Sequence, residues 1–125
     1  NIGYENTMEA ATLHSLGEEY YGNGNMEEAI QAFREASELN PLELPYKENY
    51  ANALMQNGDD LEALEVLNDL ILNDKSNSPK SYYMRGLILY EMGDINKGCL
   101  DLSVVNDTGY LGNSGVYESL CLKQN

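Results

Sequence analysis

Three glycines recur along the chain at nearly constant spacing. Gly24, Gly58 and Gly93 are 34 and 35 residues apart, and each lies between two segments whose apolar residues have helical spacing. A period of this size is typical of repeat architectures, in which one supersecondary motif is used several times. Glycine at the same point of each repeat predicts a tight turn with positive φ, where glycine has the least steric cost. The pattern therefore predicts repeated pairs of antiparallel helices.

Apolar residues on either side of these glycines follow the pattern of an amphipathic α-helix. After Gly24, for example, Ala29, Phe33 and Ala36 fall on one face of the segment, as they do in a helix with one buried side. Helices are predicted near residues 7–22, 26–39, 44–57, 60–73, 79–92 and 95–106. The residues that directly follow the three glycines are predicted to cap the next helix, namely Asn25, Asp59 and Asp94.

The first helix pair also matches a known family in residue type and spacing. Its apolar and small residues are Leu13, Leu16, Gly17, Tyr20, Ala29, Phe33, Ala36 and Pro41. This set resembles the tetratricopeptide repeat, and two further copies keep its frame around Gly58 and Gly93. Lys47 and Arg85 depart from the pattern, since each stands where the repeat has an apolar residue.

The resemblance implies an all-α fold, a right-handed helical array of about three helix-turn-helix repeats. The repeats and a C-terminal capping helix are expected near residues 7–43, 44–78, 79–110 and 113–123. A capping helix is expected because stacked repeats leave an apolar face at the end of the array. Residues 1–6 have no periodicity and are expected to form a flexible N-terminal segment, which leaves residues 7–125 as the repeat domain.

The resemblance also implies a function, because tetratricopeptide domains are non-catalytic scaffolds for protein–protein interaction. The first helices of successive pairs line a concave groove that receives a peptide or a partner's helix. The residues at groove positions are His14, Glu18, Tyr21, Glu48, Asn49, Asn52, Met55, Lys80, Tyr83, Met84, Leu87 and Tyr90. Two other classes stay open: a structural or self-association module of a larger assembly, and an accessory domain of a larger enzyme or transport system.

The groove residues also indicate the chemistry of the ligand. Family members that clamp the C-terminal carboxylate of heat-shock chaperones use two lysines, two asparagines and an arginine on this face. Asn49 and Lys80 match that set, but His14, Glu18 and Met84 stand where it has a lysine, an asparagine and the arginine. Glu18 would repel an incoming carboxylate at close range. An apolar or mildly basic peptide segment is therefore the expected partner.

The charge of the chain excludes several classes of partner. The net charge is −14, and the first 46 residues hold nine glutamates but only one basic residue, Arg34. This field repels phosphate backbones, so no nucleic-acid partner is expected. The longest apolar runs are only a few residues, so no membrane insertion is expected. The sequence leaves the cellular compartment open.

Few residues are available for catalysis or metal binding. His14 is the single histidine, and no nucleophile motif surrounds it. The two cysteines are 22 residues apart and do not make a zinc pattern with one distant histidine. We therefore expect no enzymatic activity, no cofactor and no metal.

The two cysteines are expected to be neighbours in the fold. Cys99 lies on the second helix of the last pair, on the flank that meets whatever stacks next, and Cys121 lies on the expected capping helix. A disulfide and a pair of buried free thiols both remain open, because sequence spacing does not fix the geometry that a disulfide needs.

Overall fold

The computed structural model describes residues 3–122, and every regular element among them is helical. The helices are α1 (Tyr4–Gly22), α2 (Met26–Leu39), α3 (Leu44–Gln56), α4 (Asp60–Leu72), α5 (Pro79–Glu91) and α6 (Ile95–Asp107). A single π-helical turn, Glu118–Leu122, follows and is called here the terminal turn. The all-helical repeat fold predicted from the sequence is confirmed.

Helix α1 begins earlier than the sequence indicated. It starts at Tyr4, so residues 4–6 of the predicted flexible segment are helical, while residues 1 and 2 lie outside the described part of the chain. The backbone N–H and the hydroxyl of Thr7 both donate to the carbonyl of Gly3, at 3.0 and 3.1 Å. Glu5 in the first turn also interacts favourably with the helix dipole. Because of these local interactions, α1 begins three residues before the start that apolar periodicity predicts, near residue 7.

The three repeat glycines form the turns within helix pairs. Gly24, Gly58 and Gly93 have φ angles of +81°, +84° and +96°, which non-glycine residues rarely adopt. The predicted side-chain caps are only partly present. Asp94 accepts a hydrogen bond from the Lys97 backbone N–H at 3.4 Å, whereas Asn25 makes no side-chain capping bond.

The chain divides into two compact units, with the boundary between Val66 and Leu67 inside α4. We call them the N-terminal half and the C-terminal half. In the N-terminal half, α1 and α2 approach closely at Gly17, where an added Cβ would lie 2.6 Å from two ring carbons of Phe33. Glycine at position 17 therefore allows the two helices to approach this closely.

Tyr50 connects α3 to the start of α4 within the N-terminal half. Its side chain is 8% exposed, and its hydroxyl donates to a carboxylate oxygen of Glu62 at 2.9 Å. Burial and the neighbouring Glu62 carboxylate raise the pKa of Tyr50 to about 12. The tyrosine therefore adds both apolar bulk and a buried polar link to the core.

In the C-terminal half, α5 and α6 are in backbone contact. A Cβ added to Gly98 would lie 2.8 Å from the carbonyl oxygen of Gly86 and 2.8 Å from the backbone nitrogen of Tyr90. This separation is shorter than the ordinary contact distance between heavy atoms. Two glycines, one on each helix, thus set the spacing of the pair.

Arg85, which breaks the apolar pattern of the repeat, is paired inside the C-terminal half. Its guanidinium donates two hydrogen bonds to Asp101 of α6, at 2.8 and 2.9 Å, and a third to Asn68 of α4 at 3.1 Å. It also lies 5.6 Å from the ring centroid of Tyr82. The hydrogen bonds to Asp101 raise the pKa of Arg85 above its ordinary value. At this position, where the repeat pattern has an apolar side chain, Arg85 instead links α4, α5 and α6 through hydrogen bonds.

A disulfide attaches the terminal turn to α6. Cys99 and Cys121 are bonded, with their Cα atoms 5.7 Å apart. No residue of the terminal turn is fully buried, and the disulfide links it covalently to α6 of the C-terminal half. Residue 123 of the expected capping helix lies outside the described residues.

Candidate functional site

His14 is the centre of a polar and aromatic cluster in the N-terminal half. Its imidazole stacks on Tyr46 of α3, with ring centroids 4.5 Å apart, and lies 5.4 Å from the ring of Phe33. The Nε2 atom of His14 is 2.7 Å from the amide nitrogen of Asn49. This contact is within hydrogen-bond distance and joins α1 to α3. Nδ1 in turn lies 3.8 Å from a carboxylate oxygen of Glu18.

A second bond links the same two helices one turn further along. The side-chain amide of Asn52 on α3 donates to the hydroxyl of Tyr21 on α1 at 3.1 Å. An asparagine amide has two N–H donors and a carbonyl acceptor. The bond to Tyr21 therefore uses only one of the hydrogen-bonding groups of Asn52. Asn49 and Asn52 therefore fix α3 against α1 and also bring polar atoms to the surface between these helices.

A recess of about 270 Å³ opens between α1 and α3. The residues that line it are Glu18, Tyr21, Gly22, Phe33, Asn49 and Asn52. Four of these, all except Gly22 and Phe33, had been assigned to the groove from the sequence. Phe33 had been assigned to the core, and it is indeed only 3% exposed, but its ring also contributes to the recess.

Glu18 determines the electrostatics of the recess. Its side chain is 61% exposed. A second glutamate, Glu48 on α3, directly precedes Asn49 in the sequence and is half-buried. An anionic group at the opening of a small recess attracts cationic ligand groups and repels anionic ones.

The remaining groove positions are distributed over both halves. Met55 is half-buried near the end of α3. On α5, in the C-terminal half, the half-buried positions are Lys80, Tyr83, Leu87 and Tyr90. Tyr83 lies against Tyr110, with ring centroids 6.0 Å apart. Sequence reasoning missed Tyr110, which follows α6 in a turn without periodicity, and Tyr46, which precedes the groove positions of α3.

Met84 does not belong to an accessible surface. Its side chain is 2% exposed, as is that of Ile88 one helical turn later. Residues four apart lie on the same face of a helix, so Met84 and Ile88 form part of the buried stripe of α5. The assignment of Met84 to the groove, which was transferred from the family pattern, is therefore corrected.

The structure also bears on metal and membrane binding. No group of three or more His, Cys, Asp or Glu side chains between residues 3 and 122 is arranged to hold a metal ion. Within the same range, no helix combines the length and the apolar character needed to cross a membrane.

Comparison with known proteins agrees with the repeat geometry. The model of the tetratricopeptide repeat family matches residues 10–42, which include α1 from Ala10 onward, the turn at Gly24 and all of α2. The chain carries a tetratricopeptide repeat and has the fold of that family. A comparison with curated protein sequences gave no match.

Several solved tetratricopeptide domains have the same fold. The domain of Arabidopsis OM64 superposes with a TM-score of 0.81 at 21% identity, covering 91% of this chain and 94% of that one. The TPR2B domain of yeast Sti1, in a complex with pHsp70, gives 0.78 at 21% identity, with 93% and 95% covered. The first such domain of Spaghetti (RPAP3), bound to the HSP90 peptide SRMEEVD, gives 0.77 at 20% identity, with 90% and 88% covered.

Proposed function

We propose that this chain is a non-catalytic interaction domain that binds a peptide segment of a protein partner at the α1–α3 surface of its N-terminal half. The observation that carries the proposal is the recess of about 270 Å³, where asparagine and tyrosine polar groups surround the ring of Phe33. Asparagine amides both donate and accept hydrogen bonds, so they suit a peptide backbone. The domains of Sti1 and Spaghetti, which share the fold, are described in complexes with pHsp70 and an HSP90 peptide.

The ligand segment that we propose carries a basic or apolar side chain at the recess. The Spaghetti ligand, SRMEEVD, ends in an acidic residue and contains two glutamates. Glu18 at the opening of the recess here disfavours such a sequence. The net charge of −14 also favours approach of a basic segment over an acidic one.

We propose that α5 carries a contact surface of its own within the C-terminal half, formed by half-buried side chains. Tyr83 and Leu87 are one helical turn apart and offer apolar area, while Lys80, a turn earlier, is the cation of this stretch. Tyr83→Ala is expected to weaken binding more than Lys80→Ala, because desolvated aromatic contacts dominate interface energies and exposed charges contribute less.

Peptide selection tests the proposed ligand chemistry. A random peptide library is selected against the immobilised protein, and the enriched peptides are titrated by fluorescence anisotropy. We expect enrichment of Lys, Arg and apolar residues. Enrichment of peptides with an acidic C-terminus would contradict the proposal, and the absence of any selected peptide would favour the structural or self-association alternative.

Matched variants then test the location. Glu18→Arg is expected to weaken a selected basic peptide about tenfold, whereas the same change at the exposed Glu65 of α4 leaves affinity within about twofold. Asn52→Ala is expected to cost about fivefold through lost hydrogen bonds, and Asn96→Ala on α6 is its control. Unchanged affinity in both site variants, with loss in Glu65→Arg, would place binding on the outer helices.

A further inference from the structure

The first helix pair has a second recess, on the side of α1 and α2 that does not face α3. It holds about 230 Å³. Its apolar lining comes from Leu13, Leu16 and Tyr20 of α1 and from Ala32 of α2. Leu16 is 39% exposed, whereas Ala32 is 4% exposed. The recess therefore has a buried floor and an apolar side that water still reaches.

The opposite side of the same helix pair indicates what kind of element fits such a surface. There, α3 lies along the pair, with Tyr46 stacked on His14 and the amide of Asn49 bonded to the same ring. The residues that face α3 and those that line the second recess lie on opposite flanks of α1, on either side of the buried Ala10 and Gly17. In stacked repeats a helix pair packs against neighbours on both of its faces, so a helix is the element that fits the second recess.

The charges around the recess determine the chemistry of that helix. Glu28 and Glu35 of α2 line its edge. They are seven residues apart, which places them two turns and about 10 Å apart on one side of the helix. Helices α1 and α2 together hold eight glutamates and a single Arg or Lys, Arg34. A second copy of this chain would bring like charges together at this surface, which disfavours it as the occupant.

We propose that this face binds an amphipathic helix of another protein, whose apolar stripe fills the recess and whose Lys or Arg side chains pair with Glu28 and Glu35. The two cations of the ligand helix are separated by two turns, to match the spacing of the glutamates. This surface is separate from the α1–α3 recess, so the domain has two distinct interaction sites on its first helix pair. We call it the α1–α2 outer face.

Two synthetic helical peptides test the proposal with the full chain. Both carry the same leucine stripe, and they differ in having two lysines or two glutamates at the flanking positions two turns apart. Binding is measured by fluorescence anisotropy at low and high salt. We expect the lysine peptide to bind and to weaken as salt rises, because exposed ion pairs are screened. Failure of the lysine peptide to bind, or equal binding of both peptides, would overturn the proposal.

Charge-matched variants locate the binding. Glu28→Gln with Glu35→Gln is expected to weaken the lysine peptide about fivefold. The control is Glu27→Gln with Glu38→Gln, which removes the same charge from α2 at exposed positions that do not line the recess. Equal weakening by both pairs would show that only the overall field matters and would overturn the assignment.

Apolar variants and a site control complete the test. Leu16→Ser is expected to weaken the lysine peptide about fivefold through lost apolar contact, whereas Leu61→Ser, at the 72% exposed position on α4, has no effect. Circular dichroism confirms that both variants are folded, and Asn52→Ala at the α1–α3 recess leaves this binding unchanged. Finally, sedimentation of the protein without peptide gives its oligomeric state. If the protein forms a dimer and Leu16→Ser dissociates it, the α1–α2 outer face binds a second copy of this chain and the proposal is wrong.

Discussion

The substitution Gly98→Ala tests the close contact between α5 and α6. The added Cβ would lie 2.8 Å from the Gly86 carbonyl oxygen and from the Tyr90 backbone nitrogen, and 3.0 Å from the Tyr90 Cα. These are backbone atoms, which cannot rotate away as a side chain can, so the helices must move apart. Overpacking of this kind costs about 3 kcal/mol at the upper end of its range, and the better helix propensity of alanine returns about 1 kcal/mol. We therefore expect a net loss of about 2 kcal/mol in the free energy of unfolding.

Gly22→Ala is the matched control. Gly22 is also helical, but no heavy atom lies within 4 Å of its added Cβ, so only the propensity gain remains, about 0.5 kcal/mol near a helix end. Both variants are compared with the parent chain by urea unfolding, followed by far-UV circular dichroism. If Gly98→Ala is as stable as Gly22→Ala, α5 and α6 are not in backbone contact and the packing described for the C-terminal half is wrong.

Three further predictions concern buried polar and covalent links. Asp101→Ala is expected to lower the free energy of unfolding by about 3 kcal/mol, because it leaves the Arg85 guanidinium without its charged partner. Arg85→Met combined with Asp101→Ala, which leaves neither charge buried and unpaired, should cost clearly less in the same urea assay. Reduction of the Cys99–Cys121 disulfide is expected to cost about 3 kcal/mol, since it frees a 22-residue loop in the unfolded chain, and Cys121→Ser should reproduce the loss without a reductant. The pKa of Tyr50 is raised to about 12, from 10.0 in the unfolded chain, so its contribution to stability is present below pH 10 and declines as the pH rises toward 12. Unfolding of Tyr50→Phe between about pH 10 and 12 should lack that part of the decline, and identical pH profiles would contradict it.

The repeat frame could be predicted from sequence because its signals are local. The turn at Gly58 depends on one residue's tolerance of positive φ, and the buried stripe that includes Leu67 and Leu70 depends on helical periodicity. Both quantities are set by neighbouring residues in the chain. The helix pairs, their turns and the family resemblance all rest on such signals.

The side-chain arrangement of the site could not be predicted in the same way, because it depends on how one helix is rotated against another. The sequence predicts a groove position for Asn49, but it does not predict the 2.7 Å contact of its amide with His14, which depends on the register of α3 on α1. Met84 was transferred to the groove from a family position, whereas the rotation of α5 places it in the core. Arg85 was recognised as a departure, yet its partner Asp101 lies 16 residues away and becomes a neighbour only after α6 packs.

The disulfide illustrates the same limit. The expectation that Cys99 and Cys121 are neighbours needed only the topology of the last helix pair and a terminal helix. The bond itself needs Cα atoms within about 7 Å and suitable side-chain directions. The structure supplies a Cα separation of 5.7 Å, which no sequence spacing could have given.

Amide chemical-shift mapping by NMR tests the central claim, binding at the α1–α3 surface, most directly. The ¹⁵N-labelled protein is titrated with a selected basic peptide, and the shifted resonances are assigned to helices. We expect the largest shifts around Glu18 and Tyr21 on α1 and around Asn49 and Asn52 on α3, which line the recess. Shifts confined to the exposed face of α4 around Leu61 and Glu65 would contradict it.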